Sequence, residues 1–501
     1  MCADMSAPVQ GCAEKAFTAV HVHNTKGTPK DAAAVHILPG GVVAINGATS
    51  PNSRGIPSDV RFRVDGVFSD AGPASLPKQA NPNGVHTTDL SKDPRLIELF
   101  EHLDKNEDGK VELKELTHFY RKEKLIKTAE AEREALKEIN TFDLDADGCI
   151  SFQELCQGLD KMSPLDAENW LVDKHGHSRE ARYSFDPSLG MGEALCQVMA
   201  EPCIKEMLSV NFFLLGSHVG TGKTACLFGP DPDIGESSTK YVEQGFVYQF
   251  LSHLFNAVRE LKSTDSEYLV VASCFALPDG RNSKEVVDLL RPPAQRGPKC
   301  FVTLEPDSGY PLVSNLSRVA LANEDEFADH WVGALQRIRV SVLPQEEGAN
   351  DPCAANFFLT FDVERESKSP EGPIFSTASI RFANFRQLAS VNGRFDDNSS
   401  SISNLLAKAL DKAADDPKNR ELRDILDDSP ALKVVQSSLG GTSRSCALCF
   451  LGTEARQTEE SLHQLWLLRK FDRLQNVPQP RLQTDTYLQV RQPPHVADVR
   501  G

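Results

Sequence analysis

The stretch LSVNFFLLGSHVGTGKTACLFGP, residues 208–230, decides the fold of this chain, because it joins a short apolar run to a glycine-rich loop and then to a helix. The apolar run at 210–215 has the length and composition of a buried strand. In the core GTGKT, the glycines would let backbone N–H groups close around phosphate oxygens, Lys223 would neutralise their charge, and the Thr224 hydroxyl would bind Mg²⁺. The sequence therefore predicts a strand, a phosphate-binding loop and a helix, in that order.

The candidate loop departs from the pattern GxxxxGK[ST] at one position, since Ser217 replaces the first glycine and Gly216 lies one place early. The alternative interpretation is a Gly/Thr turn between a strand and a helix that binds nothing. With a buried strand before it, the loop favours a site for ATP or ADP with Mg²⁺. The predicted nucleotide-binding residues are Ser217, His218, Val219, Gly220, Thr221, Gly222, Lys223 and Thr224.

Composition and charge exclude several classes of protein. The chain has 501 residues, 40% of them hydrophobic, and a formal net charge of −17. This charge argues against a nucleic-acid-binding surface or an anionic-membrane surface. No apolar stretch is long enough to span a membrane, and the N-terminus lacks a basic end followed by an apolar run. A cytoplasmic protein, or one of the cytoskeleton, is expected.

The cysteines indicate a reducing compartment. Twelve cysteines are scattered through apolar segments, as reduced core residues are. A single CxxC, at Cys446 and Cys449, has no second pair beside it in the sequence. Metal binding or redox chemistry at that pair is therefore a minor alternative.

Two twelve-residue segments have the pattern of calcium-binding loops: DKNEDGKVELKE at 104–115 and DLDADGCISFQE at 143–154. Each has oxygen-bearing side chains at positions 1, 3, 5, 9 and 12 and a glycine at position 6. Ca²⁺ needs this arrangement, because it takes about six to eight oxygen ligands, the glycine permits a sharp bend, and the final glutamate supplies both oxygens. The predicted ligands are Asp104, Asn106, Asp108, the Lys110 carbonyl, Glu112 and Glu115 in the first loop, and Asp143, Asp145, Asp147, the Cys149 carbonyl, Ser151 and Glu154 in the second.

The segments around these loops agree with a pair of calcium-binding hands. RLIELFEHL before the first loop and EREALKEINTF before the second carry apolar residues at helical spacing. Val111 and Ile150, at position 8 of each loop, are suited to form the short strand pair that couples two hands. Residues 92–163 resemble the EF-hand family, which implies an all-α pair that binds two Ca²⁺ ions. The alternative is an acidic helix-turn-helix that binds nothing.

Beyond the phosphate loop, apolar runs alternate with helical stretches, as in GFVYQFLSHLFNAVREL, EYLVVASCFAL and NFFLTFDVE. This alternation predicts an α/β fold, with a central, mostly parallel sheet and helices on both faces.

Several segments resemble the kinesin motor domain, in the same order along the chain. The stretch at 208–230 resembles its phosphate-loop region, and YLVVASCFALPDGRNSKEVVDLL resembles the segment that ends in an asparagine-glutamate turn and DLL. The longest match, at 426–476, follows the last helix, the SLGG turn, the final strand and the closing helix of that motor. The resemblance covers residues 183–478 and implies a kinesin-like P-loop motor fold, an ATPase site and a microtubule partner.

The N-terminal region leaves two arrangements open. AFTAVHVHNTKG at 16–27 and VRFRVDGVF at 60–68 resemble the first strands of the motor, which would make the EF-hand pair an insertion in the motor fold. The plainer alternative is an unrelated N-terminal region, followed by the EF-hands and then the motor; the sequence favours the insertion. The expected organisation is a disordered N-terminus at 1–14, candidate first motor strands at 15–75, a linker at 76–91, the EF-hand pair at 92–163, a linker at 164–182, the motor domain at 183–478 and a flexible tail at 479–501.

The switch motifs of the motor are missing from this sequence. Residues 352–356 stand where switch I has S-S-R-S-H, and 384–389 stand where switch II has D-L-A-G-S-E, with Asn384 for the aspartate and Gln387 and Ala389 for the glycine and glutamate. HVHN at 21–24 stands where the base-contacting R-x-R-P would be. Phosphoryl transfer needs a positioned water and complete Mg²⁺ coordination, so hydrolysis should fall by several orders of magnitude. No catalytic residue is predicted.

The face that meets the microtubule in kinesins is also altered. LDDSPALKVV at 426–435 stands where the family has Y-R-D-S-K-L-T-R-L-L, with Asp427 for an arginine and Pro430 for the lysine, while Lys433 keeps a positive charge. Electrostatic docking on acidic tubulin is therefore weakened. No heptad repeat follows residue 478, so a monomer is expected.

Two functions stay open at this point. The first is a calcium-binding, microtubule-associated, kinesin-like protein that binds ATP or ADP at its phosphate loop and has impaired hydrolysis. The second is a non-hydrolysing pseudo-motor scaffold whose binding to other protein partners is gated by calcium. The missing switch residues favour the second function, and the intact GTGKT core leaves the first function open.

Overall fold

The computed structural model describes residues 14–23, 35–38, 42–45, 60–69, 96, 99–100, 103–104, 106, 108–122, 128–162, 170, 190–216, 221–229, 245–262, 266–277, 286–291, 297–305, 310–343, 351–368, 373–385, 402–454 and 458–482. The expected linker at 76–91 lies outside these residues, as do most of the expected N-terminus and of the tail.

The chain divides into two compact units. The larger consists of residues 1–76 and 185–501, and the smaller of residues 77–184. The smaller unit thus lies between two segments of the larger one in the sequence.

The strands are, in chain order, β1 (Glu14–Lys15), β2 (Phe17–His23), β3 (Val35–Leu38), β4 (Val42–Ile45), β5 (Val60–Arg63), β6 (Gly66–Ser69), β7 (Lys110–Glu112), β8 (Cys149–Ser151), β9 (Val210–Leu215), β10 (Ser266–Leu277), β11 (Val287–Asp288), β12 (Phe301–Leu304), β13 (Pro311–Ser314), β14 (Val319–Leu321), β15 (Asn356–Ser367), β16 (Ile374–Asn384), β17 (Arg444–Gly452), β18 (Gln475–Asn476) and β19 (Arg481–Leu482).

The helices are, in chain order, α1 (Leu113–Lys122), α2 (Thr128–Phe142), α3 (Phe152–Asp160), α4 (Met191–Leu195), α5 (Glu201–Glu206), α6 (Lys223–Phe228), α7 (Phe246–Leu261), α8 (Glu324–Arg337), α9 (Ile402–Asp415), α10 (Arg420–Asp428), α11 (Pro430–Val434) and α12 (Thr458–Arg473). A π-helical turn at Cys196–Ala200 joins α4 to α5, and a 3₁₀ turn at Pro352–Ala354 precedes β15.

The larger unit is built on a ten-stranded sheet with the order β11-β10-β15-β16-β9-β17-β2-β6, in which β14 also pairs with β10 and β19 with β16. The pairings from β16 through β9, β17 and β2 to β6 are parallel, and the long strands β10, β15 and β16 pair in antiparallel fashion. The predicted α/β class is confirmed. Strands β2 and β6, from the N-terminal region, belong to this sheet.

Strand β9 shows why helices cover both faces of the sheet. All six of its residues are buried, and successive side chains of a strand point to opposite faces. The Phe212 ring stacks on Phe382 at 4.8 Å and meets Phe250 of α7 edge-on at 5.5 Å. The next ring, Phe213, packs against Phe471 of α12 at 4.7 Å. The continuous apolar run thus requires a helix on each side.

The segment after α12 closes the larger unit. Strand β18 pairs with β1, and β19 pairs with β16, so the fold extends beyond residue 478, where the sequence predicted the tail to begin. The buried Asn476 side chain accepts from Gly440 N–H at 2.9 Å and donates to Ser445 Oγ at 2.8 Å. Arg481 contacts Glu305 at 3.3 Å and lies over the Tyr310 ring at 4.1 Å. These side-chain contacts, which spacing along the sequence does not encode, hold the closing segment.

The smaller unit is a pair of helix-loop-helix hands. Its core joins residues from α1, α2 and α3 to Leu96, Leu99, Phe100 and Leu103, whose backbone is helical. Strands β7 and β8 pair antiparallel with Val111 opposite Ile150, which confirms the predicted coupling of the two loops.

We expect Phe212→Ala to destabilise the larger unit by about 3–5 kcal/mol, because it removes a ring that is fully buried between β16 and α7. The matched control is Phe301→Ala, whose ring is 51% exposed and whose loss should change stability by about 0.5 kcal/mol or less. Denaturant unfolding followed by circular dichroism measures both. Equal midpoints for the two variants would contradict this view of the core.

Candidate functional site

The described part of the candidate phosphate loop begins at Thr221, while Ser217, His218, Val219 and Gly220 lie outside the described residues. Thr221 and Lys223 are buried, and Lys223 begins α6. The loop therefore sits between the end of β9 and the start of a helix, as the sequence predicted.

Two glycines shape the chain around the loop. Gly216, directly after β9, has φ of +111°, and Gly222, before α6, has φ of +63°. Residues with a Cβ rarely adopt these conformations. A Cβ on Gly222 would also lie 2.5 Å from Nδ1 of His23. An imidazole at the end of β2 thus packs against the loop, at one of the positions where the family resemblance expected base contacts.

The Lys223 ammonium is occupied by the protein itself. Its side chain is only 1% exposed, and Nζ donates to the carbonyl oxygens of Leu214 at 2.8 Å and Gly216 at 3.2 Å. Burial lowers the pKa of Lys223 from its ordinary value. A phosphate would have to compete with these two carbonyls for the ammonium protons.

The Thr224 hydroxyl is also engaged. It donates to the carboxylate of Asp351 at 2.5 Å, and the same carboxylate oxygen accepts the Cys353 N–H at 2.8 Å, which caps the 3₁₀ turn at Pro352–Ala354. The Thr224 hydroxyl oxygen and the Asp351 carboxylate thus lie together where Mg²⁺ is expected, and oxygen atoms are the ligands that this ion prefers. Asp351 was not among the residues predicted from the sequence, although an aspartate before a proline is a common turn signal.

Asn384, at the switch II position, is tied to the switch I position. It lies at the end of β16, is fully buried, and its Nδ2 donates to the carbonyl oxygens of Cys353 at 3.1 Å and Ala355 at 2.6 Å. An aspartate could not make these bonds, because a carboxylate only accepts. The amide therefore links the two segments that the sequence aligned with switch I and switch II. The remaining switch II residues, Gln387 and Ala389, lie outside the described residues.

The first calcium loop is folded around its carboxylates. Asp104 accepts the N–H groups of Asp108 at 3.2 Å and Gly109 at 2.8 Å. Glu115 accepts the N–H groups of Asn106 at 3.2 Å and Glu112 at 2.9 Å, so the loop closes on its twelfth residue. Asn106 accepts the Asp108 N–H at 3.0 Å. Three of the predicted ligands, Asp104, Asn106 and Glu115, thus accept from N–H groups of the loop backbone.

The second loop repeats this geometry. Asp143 accepts the N–H groups of Asp147 and Gly148, and Glu154 accepts those of Leu144 at 3.0 Å and Asp145 at 3.2 Å. Ser151 and Glu154 form a reciprocal capping box at the start of α3. Carboxylate oxygens of Asp143, Asp145 and Asp147 all lie within 4.8 Å of one another. Three converging carboxylates suit a hard divalent cation.

A cross-loop ion pair connects the two hands. Lys110, whose carbonyl is a predicted ligand in the first loop, places Nζ 2.5 Å from Asp147 of the second. The hydrogen bond from Lys110 lowers the pKa of Asp147. Because both groups are exposed, this pair adds little stability, but it brings a positive charge to the predicted ligands of the second loop.

The CxxC pair gives no support to metal or redox chemistry. Cys446 and Cys449 are fully buried in β17, and burial raises the pKa of Cys446 and of Cys449 above the ordinary value. A thiolate, the form that binds metals and attacks disulfides, is disfavoured there.

Two lysines on α9 and α11, near the segment that the sequence aligned with the basic kinesin helix, are paired with carboxylates. Lys433 donates to Asp427 at 2.8 Å, and Lys412 on α9 pairs with Glu421 on α10. The positive charge that the sequence retains at Lys433 is thus partly neutralised by the aspartate that replaces an arginine.

Comparisons with known proteins agree with both halves of this description. Residues 93–159 match the family model described as an EF-hand domain pair. No curated protein matches the chain. Among solved structures, the chain resembles KIF14 residues 391–772, in a structure described as a dimer in the two-heads-bound state with AMP-PNP in complex with a microtubule. The TM-score is 0.55 at 14% identity, over 95% of this chain and 99% of that one.

These findings confirm the two resemblances seen in the sequence. The chain has a kinesin motor fold and an EF-hand domain pair. At this level of identity, the structural likeness establishes the fold, and activity has to be argued from the residues of the site.

Among the helices that the structure describes, none combines the length and the apolar character needed to cross a bilayer.

We expect the hands to bind two Ca²⁺ ions with dissociation constants of about 10⁻⁷ to 10⁻⁵ M, because both loops present a complete oxygen donor set. Titration calorimetry on the full chain should show two sites that disappear in the double variant Glu115→Gln and Glu154→Gln. The exposed Glu132→Gln on α2 is the control and should keep both sites. Absence of heat at micromolar calcium would contradict the assignment.

We expect Lys223→Met to weaken the binding of fluorescent ADP by about tenfold or more, because it removes a charge-assisted hydrogen bond to phosphate. Its folding stability should change little, because the hydrogen bonds lost by the Leu214 and Gly216 carbonyls offset the removal of a buried ammonium. The control is Lys433→Met at the surface, with ADP binding unchanged. Superimposable titrations of wild type and Lys223→Met would show that the loop holds no phosphate.

Proposed function

We propose that this chain is a calcium-binding, kinesin-like protein in which calcium, not nucleotide hydrolysis, is the switch. ATP or ADP would bind weakly at Thr221, Gly222, Lys223 and Thr224, together with the four preceding loop residues predicted from the sequence. The observation that carries the proposal is the pair of hydrogen bonds from Asn384 to the Cys353 and Ala355 carbonyls.

This pair of bonds bears on nucleotide sensing. In phosphoryl-transfer proteins of this kind, switch segments become ordered through contacts to the γ-phosphate and its Mg²⁺, and relax after hydrolysis. Here the turn at Pro352–Ala354 is held to β16 by side chains of the protein. A bound γ-phosphate would add little to a turn that is already fixed, so ATP and ADP should support the same conformation.

The same contacts explain why nucleotide binding would be weak. Lys223 and Thr224 would have to leave the Leu214 carbonyl and the Asp351 carboxylate, or share their hydrogen bonds with them. Mg²⁺, when bound, would neutralise the phosphate charge, and the Thr224 hydroxyl and the Asp351 carboxylate are the groups that would hold it.

Two partner assignments follow, and different observations support them. A microtubule is supported by the fold, since the KIF14 structure it resembles contains one. A pseudo-motor scaffold for another protein is supported by the fixed switch contact and by the Lys433–Asp427 pair. In both assignments the protein acts at the cytoskeleton or in the cytoplasm as a monomer, and calcium controls its binding to the partner.

We expect ATP turnover to stay near background with and without microtubules, at low and at high calcium, because the water-positioning residues are missing. Calcium should change partner binding, measured by microtubule co-sedimentation in the same samples. Strong microtubule-stimulated hydrolysis would overturn the proposal. Calcium-independent binding in every partner assay would indicate that the EF-hand pair acts only as a calcium buffer.

The variant Asn384→Asp sharpens this test. It should lower the free energy of unfolding by about 1–3 kcal/mol, because a carboxylate cannot donate to the two carbonyls, and it should not restore turnover. Asn404→Asp on α9, whose side chain is partly exposed, is the control for the added charge. A gain of ATPase activity in Asn384→Asp would show that the missing aspartate alone silences the motor.

A further inference from the structure

The EF-hand pair contains an apolar pocket whose walls come from both calcium loops. Val111 of β7 and Ile150 of β8 line it, together with Phe119 of α1 and Leu155 of α3. One wall carries a charged group, because Glu138 of α2 also lines the pocket. Any movement of the loops or of the helices beside them would therefore change its shape.

Trp170 packs over the apolar residues of this pocket and is itself part of its lining. Its indole ring meets Phe142 edge-on, with centroids 4.8 Å apart, and packs on the core of the hands. It lies beyond residue 159, where the match to the EF-hand pair ends, and within the stretch 164–182 that the sequence analysis expected to be a linker. The signal that could have found it is an isolated tryptophan in an otherwise polar segment, DAENWLVDK.

Glu138 makes the pocket selective for this side chain. The carboxylate is buried, at 8% exposure, and accepts the Trp170 indole N–H at 2.9 Å and the Tyr120 hydroxyl at 3.1 Å. A buried carboxylate is costly unless donors satisfy it. A tryptophan supplies both the apolar ring that fills the pocket and a donor for the carboxylate, which a phenylalanine or leucine would not.

We propose that this pocket is a tryptophan-binding site and that its occupant is Trp170 of the same chain. The EF-hand pair thereby holds Trp170 as an intramolecular target. An external partner that uses the pocket has to displace Trp170.

The pocket is built so that calcium controls its affinity for the indole. Glu138 and Phe142 lie on α2, which ends directly before the first ligand of the second loop, and Leu155 follows Glu154, its last ligand. Calcium opens the apolar groove of sensor hands and so favours target binding. Coupling is reciprocal, so a seated Trp170 raises the affinity for calcium. This step rests on the calcium binding proposed above.

The first experiment measures calcium affinity on the full chain. Trp170→Ala should lower it by about 3- to 10-fold, and Trp170→Phe, which keeps a ring but loses the N–H, should lower it less. The control is Trp466→Ala, whose ring is 48% exposed and whose calcium affinity should equal that of wild type. Equal affinities for wild type and Trp170→Ala would overturn the coupling. A wild type that binds no calcium would overturn the proposed function instead.

The second experiment tests occupancy without relying on calcium affinity. A labelled peptide with the sequence of residues 163–174, SPLDAENWLVDK, is added to the full-length Trp170→Ala variant and to wild type. We expect it to bind the variant at least about tenfold more tightly, because wild type fills the pocket with its own side chain. The same peptide with alanine for tryptophan should not bind. Equal binding to both proteins, or binding to neither, would overturn the assignment of Trp170.

Discussion

The parallel register of three strands is the constraint on which the candidate nucleotide site depends. Leu214 near the end of β9 lies opposite Asn384 of β16 on one side and Leu448 of β17 on the other. Parallel strands bring their carboxyl ends to the same edge of the sheet, which is where ligands bind in folds of this class. The end of β9, where the candidate phosphate loop begins, therefore lies beside Asn384 at the end of β16, although about 170 residues separate them in the chain.

What fills that edge is a set of polar side chains that satisfy one another. Lys223, Thr224 and Asn384 all donate to oxygen atoms of the protein, and Asp351 accepts two of the hydrogen bonds there. Breaking such a bond in a buried place leaves a polar group unpaired, at a cost of about 1–3 kcal/mol. A nucleotide would have to break or share these hydrogen bonds, whereas a motor that senses γ-phosphate needs a switch segment that the nucleotide itself completes.

The EF-hand pair, in contrast to the candidate nucleotide site, has carboxylates arranged to bind a cation. Its carboxylates accept from backbone N–H groups of their own loops, and oxygens of Asp143, Asp145 and Asp147 converge within 4.8 Å of one another, with Lys110 paired to Asp147. The apolar core between the hands shares residues with the two loops through Val111 and Ile150. Ion binding at the surface and the shape of the Trp170 pocket are therefore mechanically connected within this unit. Its position in the sequence, between two segments of the larger unit, joins both of its ends to the motor fold.

The sequence alone determined the features whose residues are contiguous. A twelve-residue calcium loop, a strand followed by GTGKT, and the alternation of apolar runs with helices are all set by local spacing, so the EF-hand pair and the α/β fold could be predicted, and comparison confirmed them. The absence of the switch motifs was likewise read from contiguous residues, and its effect on hydrolysis stays a prediction. Only the tertiary structure decided the partners of Asp351, His23, Asn384 and Trp170. Each of these contacts joins residues far apart in the chain, and nothing in the spacing around one of them indicates what a distant strand or helix will bring beside it.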